Sequence, residues 1–251
     1  MRLFILVMSL FLLSGCGNPL PWKSTGVRVA VLDSGVDPGG DYRMDEGWNY
    51  LDDSSSTEDE EGHGTQMAEL ICQYASDAVI VPLKISGIEE DTKPEFVIRA
   101  LYDAVDHYDC RVICMSFSIP DSDALREAVD YAWQKNVILI SAAGNLGETY
   151  KKEKLLYPAA YDMVIGVGAV EENGEVATYS QRNKSVFVTA LGSSFDGTKK
   201  GTSYAAARVV GICAERSWDT PEAFQNELIR QAQDRGAPGY DTEYGWGVLS
   251  K

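Results

Sequence analysis

From residue 26 onward the chain alternates between short, almost uninterrupted apolar runs and longer stretches whose apolar residues recur at helical spacing. The runs are Gly26-Val27-Arg28-Val29-Ala30-Val31-Leu32, Val79-Ile80-Val81-Pro82-Leu83, Arg111-Val112-Ile113-Cys114-Met115, Val137-Ile138-Leu139-Ile140 and Met163-Val164-Ile165-Gly166-Val167. Runs without polar alternation predict strands buried on both faces. Between them, Phe96, Val97, Ala100, Leu101, Ala104 and Val105 share one helical face. So do Leu125, Ala128, Val129, Ala132 and Trp133, after a start near Asp121-Ser122-Asp123. A last helix opens with Thr220 as N-cap and Pro221 at its first position, turning Phe224, Leu228 and Ala232 inward. Strand and helix in alternation predict an α/β fold in three layers, a mainly parallel sheet with helices on both faces. In such sheets ligands gather beyond the carboxyl ends of the strands. Asp33, Ser116 and Asn145 each fall just past such an end.

The first 25 residues follow another pattern. Arg2 precedes an apolar run from Leu3 to Leu13, then Ser14-Gly15-Cys16. A short positive region, an apolar run too short to span a bilayer and small residues after it make a secretory signal. Leu13-Ser14-Gly15-Cys16 also resembles the lipobox of bacterial lipoproteins, which implies cleavage before Cys16 and a diacylglycerol on its sulfur. Several acyl chains on one residue give stable anchoring. The expected organisation is a signal peptide over 1–15, a lipidated cysteine and tether over 16–25, and a globular domain over 26–251. The expected location is extracytoplasmic and membrane-anchored, or secreted if the lipobox is not used.

A content of 45% apolar and 24% charged residues leaves room for one sizeable core in 251 residues. The formal net charge of −16 argues against a nucleic-acid surface and against electrostatic binding to anionic lipid. Of the remaining cysteines, Cys72, Cys114 and Cys213 are embedded in apolar sequence, which favours buried free thiols. An exported location permits disulfides with Cys110 as the fourth partner, and no pair has zinc-type spacing.

Candidate chemistry centres on Gly201-Thr202-Ser203-Tyr204-Ala205-Ala206-Ala207. A serine between small residues and a run of helix formers is expected at the exposed first turn of a helix, where unpartnered N–H groups favour negative charge. Taken alone, Gly-Thr-Ser is also an ordinary helix cap. His107 closes a helical pattern beside Asp106 and Asp109, as a solvated terminus residue would. His63 is instead bracketed by Gly62 and Gly64, ahead of Met67-Ala68-Glu69-Leu70-Ile71. Together with Asp33 these residues form the set Asp33, His63, Ser203. A serine hydroxyl needs a base, imidazole supplies one near neutral pH, and a carboxylate fixes its tautomer.

On these residues the chain resembles the subtilisin-like (subtilase) serine peptidases. Val29-Ala30-Val31-Leu32-Asp33-Ser34-Gly35 is similar to the family's aspartate motif, Gly62-His63-Gly64-Thr65 to its histidine motif, and Gly201-Thr202-Ser203-Tyr204-Ala205-Ala206 to its serine motif. Ser141-Ala142-Ala143-Gly144-Asn145 resembles the segment supplying the oxyanion-hole asparagine. Tyr157-Pro158-Ala159-Ala160, Val164-Ile165-Gly166-Val167-Gly168-Ala169-Val170 and Tyr244-Gly245-Trp246-Gly247 match further stretches. The resemblance implies the subtilisin-like fold over 26–251 and a serine endopeptidase with Asp33, His63, Ser203 and Asn145 as its catalytic residues. It also implies a polypeptide substrate held by Ser116, Phe117, Ser118, Ala142, Ala143 and Gly144. No cofactor is required by this chemistry, and no metal site is expected. The longer calcium-binding loop of many members is missing between His63 and Val79, which leaves calcium dependence open.

Other departures shape expectations. Tyr204, Ala207 and Arg208 replace the family's methionine, proline and histidine, and suit a helix well enough to be read as neutral. Ser116-Phe117-Ser118-Ile119-Pro120 stands where the family has a glycine-rich substrate-pairing strand, so Ser118 and Ile119 are expected to crowd the pocket and narrow specificity. There is no room for the usual folding propeptide between Cys16 and Val27, so an enzyme that folds unaided or is controlled by another protein is expected. The acidic run from Asp52 to Glu61 lacks the glycine of an EF-hand loop. It is either a solvated, mobile loop or a source of cleft carboxylates that favour basic substrate residues. Gly166-Val167-Gly168 has Glu171 where a nucleotide fingerprint needs its third glycine. The rival to the peptidase is a catalytically silent subtilase fold used for binding or regulation. Oligomeric state and the physiological substrate are not set by the sequence.

Overall fold

The computed structural model describes residues 26–88, 91–147 and 153–250. The expected signal, Cys16 and the tether lie outside them. The elements are β1 (Arg28–Asp33), β2 (Arg43–Met44), β3 (Trp48–Asn49), α1 (His63–Tyr74), β4 (Val79–Lys84), α2 (Pro94–Asp106), β5 (Val112–Met115), α3 (Asp123–Gln134), β6 (Ile138–Ala142), β7 (Val164–Val170), β8 (Val188–Leu191), α4 (Thr202–Ala214), α5 (Pro221–Gln231) and β9 (Val248–Leu249). All five apolar runs are strands, and their residues are buried almost without exception.

The strands form one sheet in the order β2-β4-β1-β5-β6-β7-β8-β9, with β3 also on β4, and every pairing is parallel. β1 sits between β4 and β5, which lines up the carboxyl ends at Asp33, Lys84 and Met115. The pleat divides the core in two. Val29 and Val31 face the layer of α1, α4 and α5, whereas Ala30 and Leu32 face α2 and α3. The predicted helices are present, with Ser122 and Thr220 capping α3 and α5 through their side chains. Ala232 is the C-cap of α5 and only half-buried, because the helix has already ended there.

α4 corrects one expectation. Every residue from Thr202 to Gly211 is buried, so this is a central helix rather than an amphipathic surface one. It packs on β5, β6, β7 and β8 and against α1. Ser203 therefore lies in a first turn that is buried, with 7% of its surface accessible. No described helix is long and apolar enough to cross a membrane.

Candidate active site

The chain ends of β1 and β5, the start of α1 and the start of α4 converge on one cleft of about 670 Å³. Asp33, His63, Ser203, Asn145, Ser116 and Phe117 all line it. His63 is the first residue of α1, and its two glycines have separate reasons. Gly62 caps the helix at φ 78°, a left-handed conformation that side chains resist. A Cβ on Gly64 would lie 2.1 Å from the Gly35 carbonyl oxygen, so only glycine lets α1 approach the end of β1.

His63 Nδ1 and Asp33 Oδ1 are 2.7 Å apart, and Asp33 is buried. The Ser34 N–H donates to the same oxygen at 2.8 Å. A carboxylate can only accept here, so Nδ1 carries the proton and Nε2 is the basic nitrogen. Burial acts to lower the His63 pKa, but the hydrogen bond and charge of Asp33, with Glu61 and Asp59 behind it, hold it above the ordinary 6.5. The Ser203 hydroxyl donates to the Ser116 carbonyl at 3.4 Å. No hydrogen bond joins Ser203 to His63 among the described residues, and such catalytic bonds often form only when substrate arrives.

Asn145 is fixed by its acceptor end. Its Oδ1 accepts from the Thr202 N–H and the Thr202 hydroxyl, each at 2.9 Å. A backbone N–H can only donate, so the amide orientation is determined and Nδ2 is left over as a donor. The Thr202 oxygen in turn accepts from the Gly144 N–H at 3.1 Å. A nucleophile, a tautomer-fixed base and an oriented amide donor in one cleft are the parts needed for acyl transfer through a tetrahedral oxyanion.

A model of the subtilase family (peptidase S8) matches residues 24–247. The chain belongs to the subtilase family. It is 34% identical over 233 residues to the major intracellular serine protease of Bacillus subtilis (strain 168), covering 82% of this chain and 73% of that protein. It is 27% identical to the minor extracellular protease Epr of the same organism over 91% of this chain, yet spans only 39% of Epr. The crystal structure of a lanthipeptide protease superposes with a TM-score of 0.79 at 25% identity, covering 90% of this chain and 88% of that one. The sheet and its flanking helices are thus the subtilisin fold, and the domain is a subtilisin-like serine endopeptidase.

Within this subtilase the other residues expected to hold substrate differ in burial and backbone partners. Ala142 and Ala143 are core residues, and the Ala143 N–H is taken by the Val167 carbonyl. Gly144 has both backbone groups occupied, its N–H by Thr202 and its carbonyl by the Gln181 N–H. Gly144 is part-buried beside Asn145, and Ser118 is exposed. Ile119 does not crowd the pocket. It is buried against the α2 and α3 layer, and its N–H donates to the Tyr157 carbonyl.

Arg208 is not the neutral change expected of it. The side chain is buried, and its Nη1 donates to the carbonyls of Leu191, Ser193 and Tyr204. It ties the end of β8 to the first turn of α4.

The acidic run is neither wholly solvated nor loose. Asp53 pairs with Arg99 at 2.7 Å, and Lys84 donates to the Glu58 carbonyl at 2.6 Å. Asp59 was hidden among its neighbours in the sequence, yet it is a buried hub. Its carboxylate accepts from the Ser34 hydroxyl, the Gly62 N–H, and both the N–H and hydroxyl of Thr65, at 2.7 to 2.9 Å. Burial acts to raise its pKa, but these hydrogen bonds win and hold it below the ordinary carboxylate value. It satisfies N–H groups at the start of α1 and links them to the residue after Asp33. The signal available in sequence was its place just ahead of the histidine motif.

The four described cysteines are free and buried, as the apolar surroundings of Cys72, Cys114 and Cys213 predict; Cys110 is buried as well. Among the described residues, no cluster of three His, Cys, Asp or Glu side chains is arranged to hold a metal.

Proposed function

We propose that the protein is a membrane-anchored extracytoplasmic serine endopeptidase of narrow specificity that cuts secreted or surface polypeptides at basic residues. The observation that carries the catalytic part is the 2.7 Å contact between His63 and Asp33 in a cleft that also holds Ser203 and Asn145. In this reading Ser203 Oγ attacks the scissile carbonyl carbon while its proton passes to His63 Nε2. The oxyanion is held by Asn145 Nδ2 and the Ser203 N–H. Collapse breaks the C–N bond, and His63 returns the proton to the departing amine. Water, deprotonated by the same nitrogen, then releases the acyl group. Asp33 keeps the imidazole in its tautomer and stabilises the imidazolium throughout.

The substrate preference rests on charge. Glu61 and Asp91 line the cleft beside Asp33, and the described residues lining it include no lysine or arginine. Such a cleft concentrates basic segments and repels acidic ones. Apolar surface is supplied by Phe117 and by Ile88, which is 68% exposed. The location rests on Leu13-Ser14-Gly15-Cys16.

Labelling the purified protein with a fluorophosphonate probe, beside Ser203→Ala, tests the mechanism. Labelling of the wild type alone is expected, whereas a folded wild type that stays unlabelled favours the silent binding module. Incorporation of radioactive palmitate, lost in Cys16→Ala, tests the anchor.

A further inference from the structure

We infer that a groove running down α1 away from His63 receives the part of the polypeptide substrate beyond the scissile bond, and that Phe195 anchors an apolar side chain in it. The inference rests on the peptidase reading above. Its starting point is Phe195, 81% exposed, against 68% for Ile88 and 40% for Tyr240, the other exposed large apolar side chains among the described residues.

The segment that presents this ring is held firmly. Ser193 and Lys200 bridge in antiparallel fashion, and the Ser194 N–H donates to the Lys199 carbonyl. Asp196 accepts from the Ser194 hydroxyl, the Thr198 N–H and the Thr198 hydroxyl at 2.6 to 3.0 Å. From below, buried Arg208 donates to the carbonyls of Leu191 and Ser193. An aromatic side chain on a hairpin that is already ordered loses little freedom when it binds.

Beside the hairpin lies a hollow of about 360 Å³. Its far wall is one stripe of α1, Gln66, Glu69, Leu70 and Gln73, at spacings of three and four. A second hollow of about 610 Å³ continues past Phe195 toward Val170 and Leu191, and shares Gln73 with the first. Tyr204, the residue after Ser203, lines the first hollow and stands between it and His63. The Tyr204 ring stands edge-on to His63 with centroids 6.3 Å apart, and its hydroxyl donates to Gln66.

Chemistry sets the direction of the occupant. The group that must receive a proton on bond cleavage is the leaving amine, and His63 supplies it. The chain that carries this amine therefore departs on the His63 side of Ser203, and α1 begins at His63. From His63 to Gln73 a helix rises about 15 Å. That is about five residues of extended polypeptide. The anchored apolar side chain thus belongs within the first five or so residues after the cut, among polar neighbours that suit the amide and charged groups of the walls.

The test is cleavage-site mapping by mass spectrometry on a denatured proteome, with wild type, Phe195→Ser and, as a control on a remote exposed ring, Tyr240→Ser. A large apolar residue is expected to be enriched at one fixed position downstream of the cut for wild type and Tyr240→Ser, and not for Phe195→Ser. Absence of enrichment in the wild type, or its survival in Phe195→Ser, overturns the inference. Binding provides a readout that needs no turnover. On a Ser203→Ala background, fluorescent hexapeptides with free amino termini and a fixed Phe are expected to bind about tenfold more weakly when Phe195 is also serine. Equal affinities overturn the groove, whereas an unlabelled wild type with intact peptide binding overturns only the peptidase reading.

Discussion

Asn145 and Thr202 are joined twice, through the backbone N–H and the hydroxyl of the threonine, and both bonds end on the same amide oxygen. The arrangement fixes the orientation of the amide and leaves its nitrogen as the donor. Asn145→Ala is expected to lower kcat by about two to three orders of magnitude with little change in KM, the size seen when one such donor is removed from serine peptidases of this type. Thr202→Val keeps the shape and the N–H but loses the hydroxyl, and a fall of about tenfold in kcat is expected. Steady-state kinetics on one peptide substrate measures both.

Asp59 should matter as much to the base as to stability. Asp59→Ala leaves the Ser34 and Thr65 hydroxyls and two N–H groups without their acceptor, a loss on the order of 3 kcal/mol. Chemical denaturation measures it. Its folded pKa lies below the ordinary 3.8, so the stability it contributes is present above that value and is lost as pH falls through the folded one. A loss in kcat beyond that explained by unfolding, at a pH where the variant is folded, would mark its positioning of His63.

His63 must be neutral to act as a base. Its pKa is raised above 6.5, so the acidic limb of kcat/KM is expected to lie above that value. Glu61 is among the charges that raise it. In Glu61→Gln the limb should move to lower pH, while peptides with Lys or Arg near the cut lose their advantage. An unmoved limb and an unchanged preference would dismiss Glu61 from both roles.

Arg208→Met takes the guanidinium donor from the Leu191 and Ser193 carbonyls, whereas the Tyr204 carbonyl keeps its helical partner, the residue-208 N–H. A drop of about 2 kcal/mol in unfolding free energy is expected. Hydrogen exchange should also rise over residues 191–200, which the guanidinium holds to α4. Exchange unchanged there would mean that the hairpin orders itself.

The thiols should be inert. Burial pushes Cys72 up to about 11, Cys110 and Cys114 up to about 12, and Cys213 well above its ordinary value. Maleimide followed by peptide mapping is expected to modify none of these four in the native protein and all of them in denaturant.

Much of the fold could be read from the chain because burial on two faces leaves a plain mark. Val29 to Leu32, Val79 to Leu83 and Ile138 to Ile140 have no polar alternation, and each proved to be an interior strand. β8 and β9 escaped notice for physical reasons. β8 follows β7 without a helix between them, and β9 is two residues long, so neither has the rhythm of its neighbours. The site divided in the same way. Asp33, His63, Ser203 and Asn145 stand in motifs and meet in one cleft. Asp59 and Arg208 do not stand out, because a buried carboxylate in an acidic run and a buried guanidinium in a helix differ from surface ones only by partners distant in sequence.

The burial of α4 has a consequence in time. Ser203 rides on a helix that rests on β5, β6, β7 and β8, all of which precede it in the chain, while Asp33 and His63 come near the beginning. Long-range assembly of this kind is slow compared with local helix formation. A nascent polypeptide that has already made its base and orienter therefore holds no hydrolytic power until nearly the last helix docks. The order of residues along the chain works as a delay, keeping the molecule harmless to itself and its neighbours while it is being made.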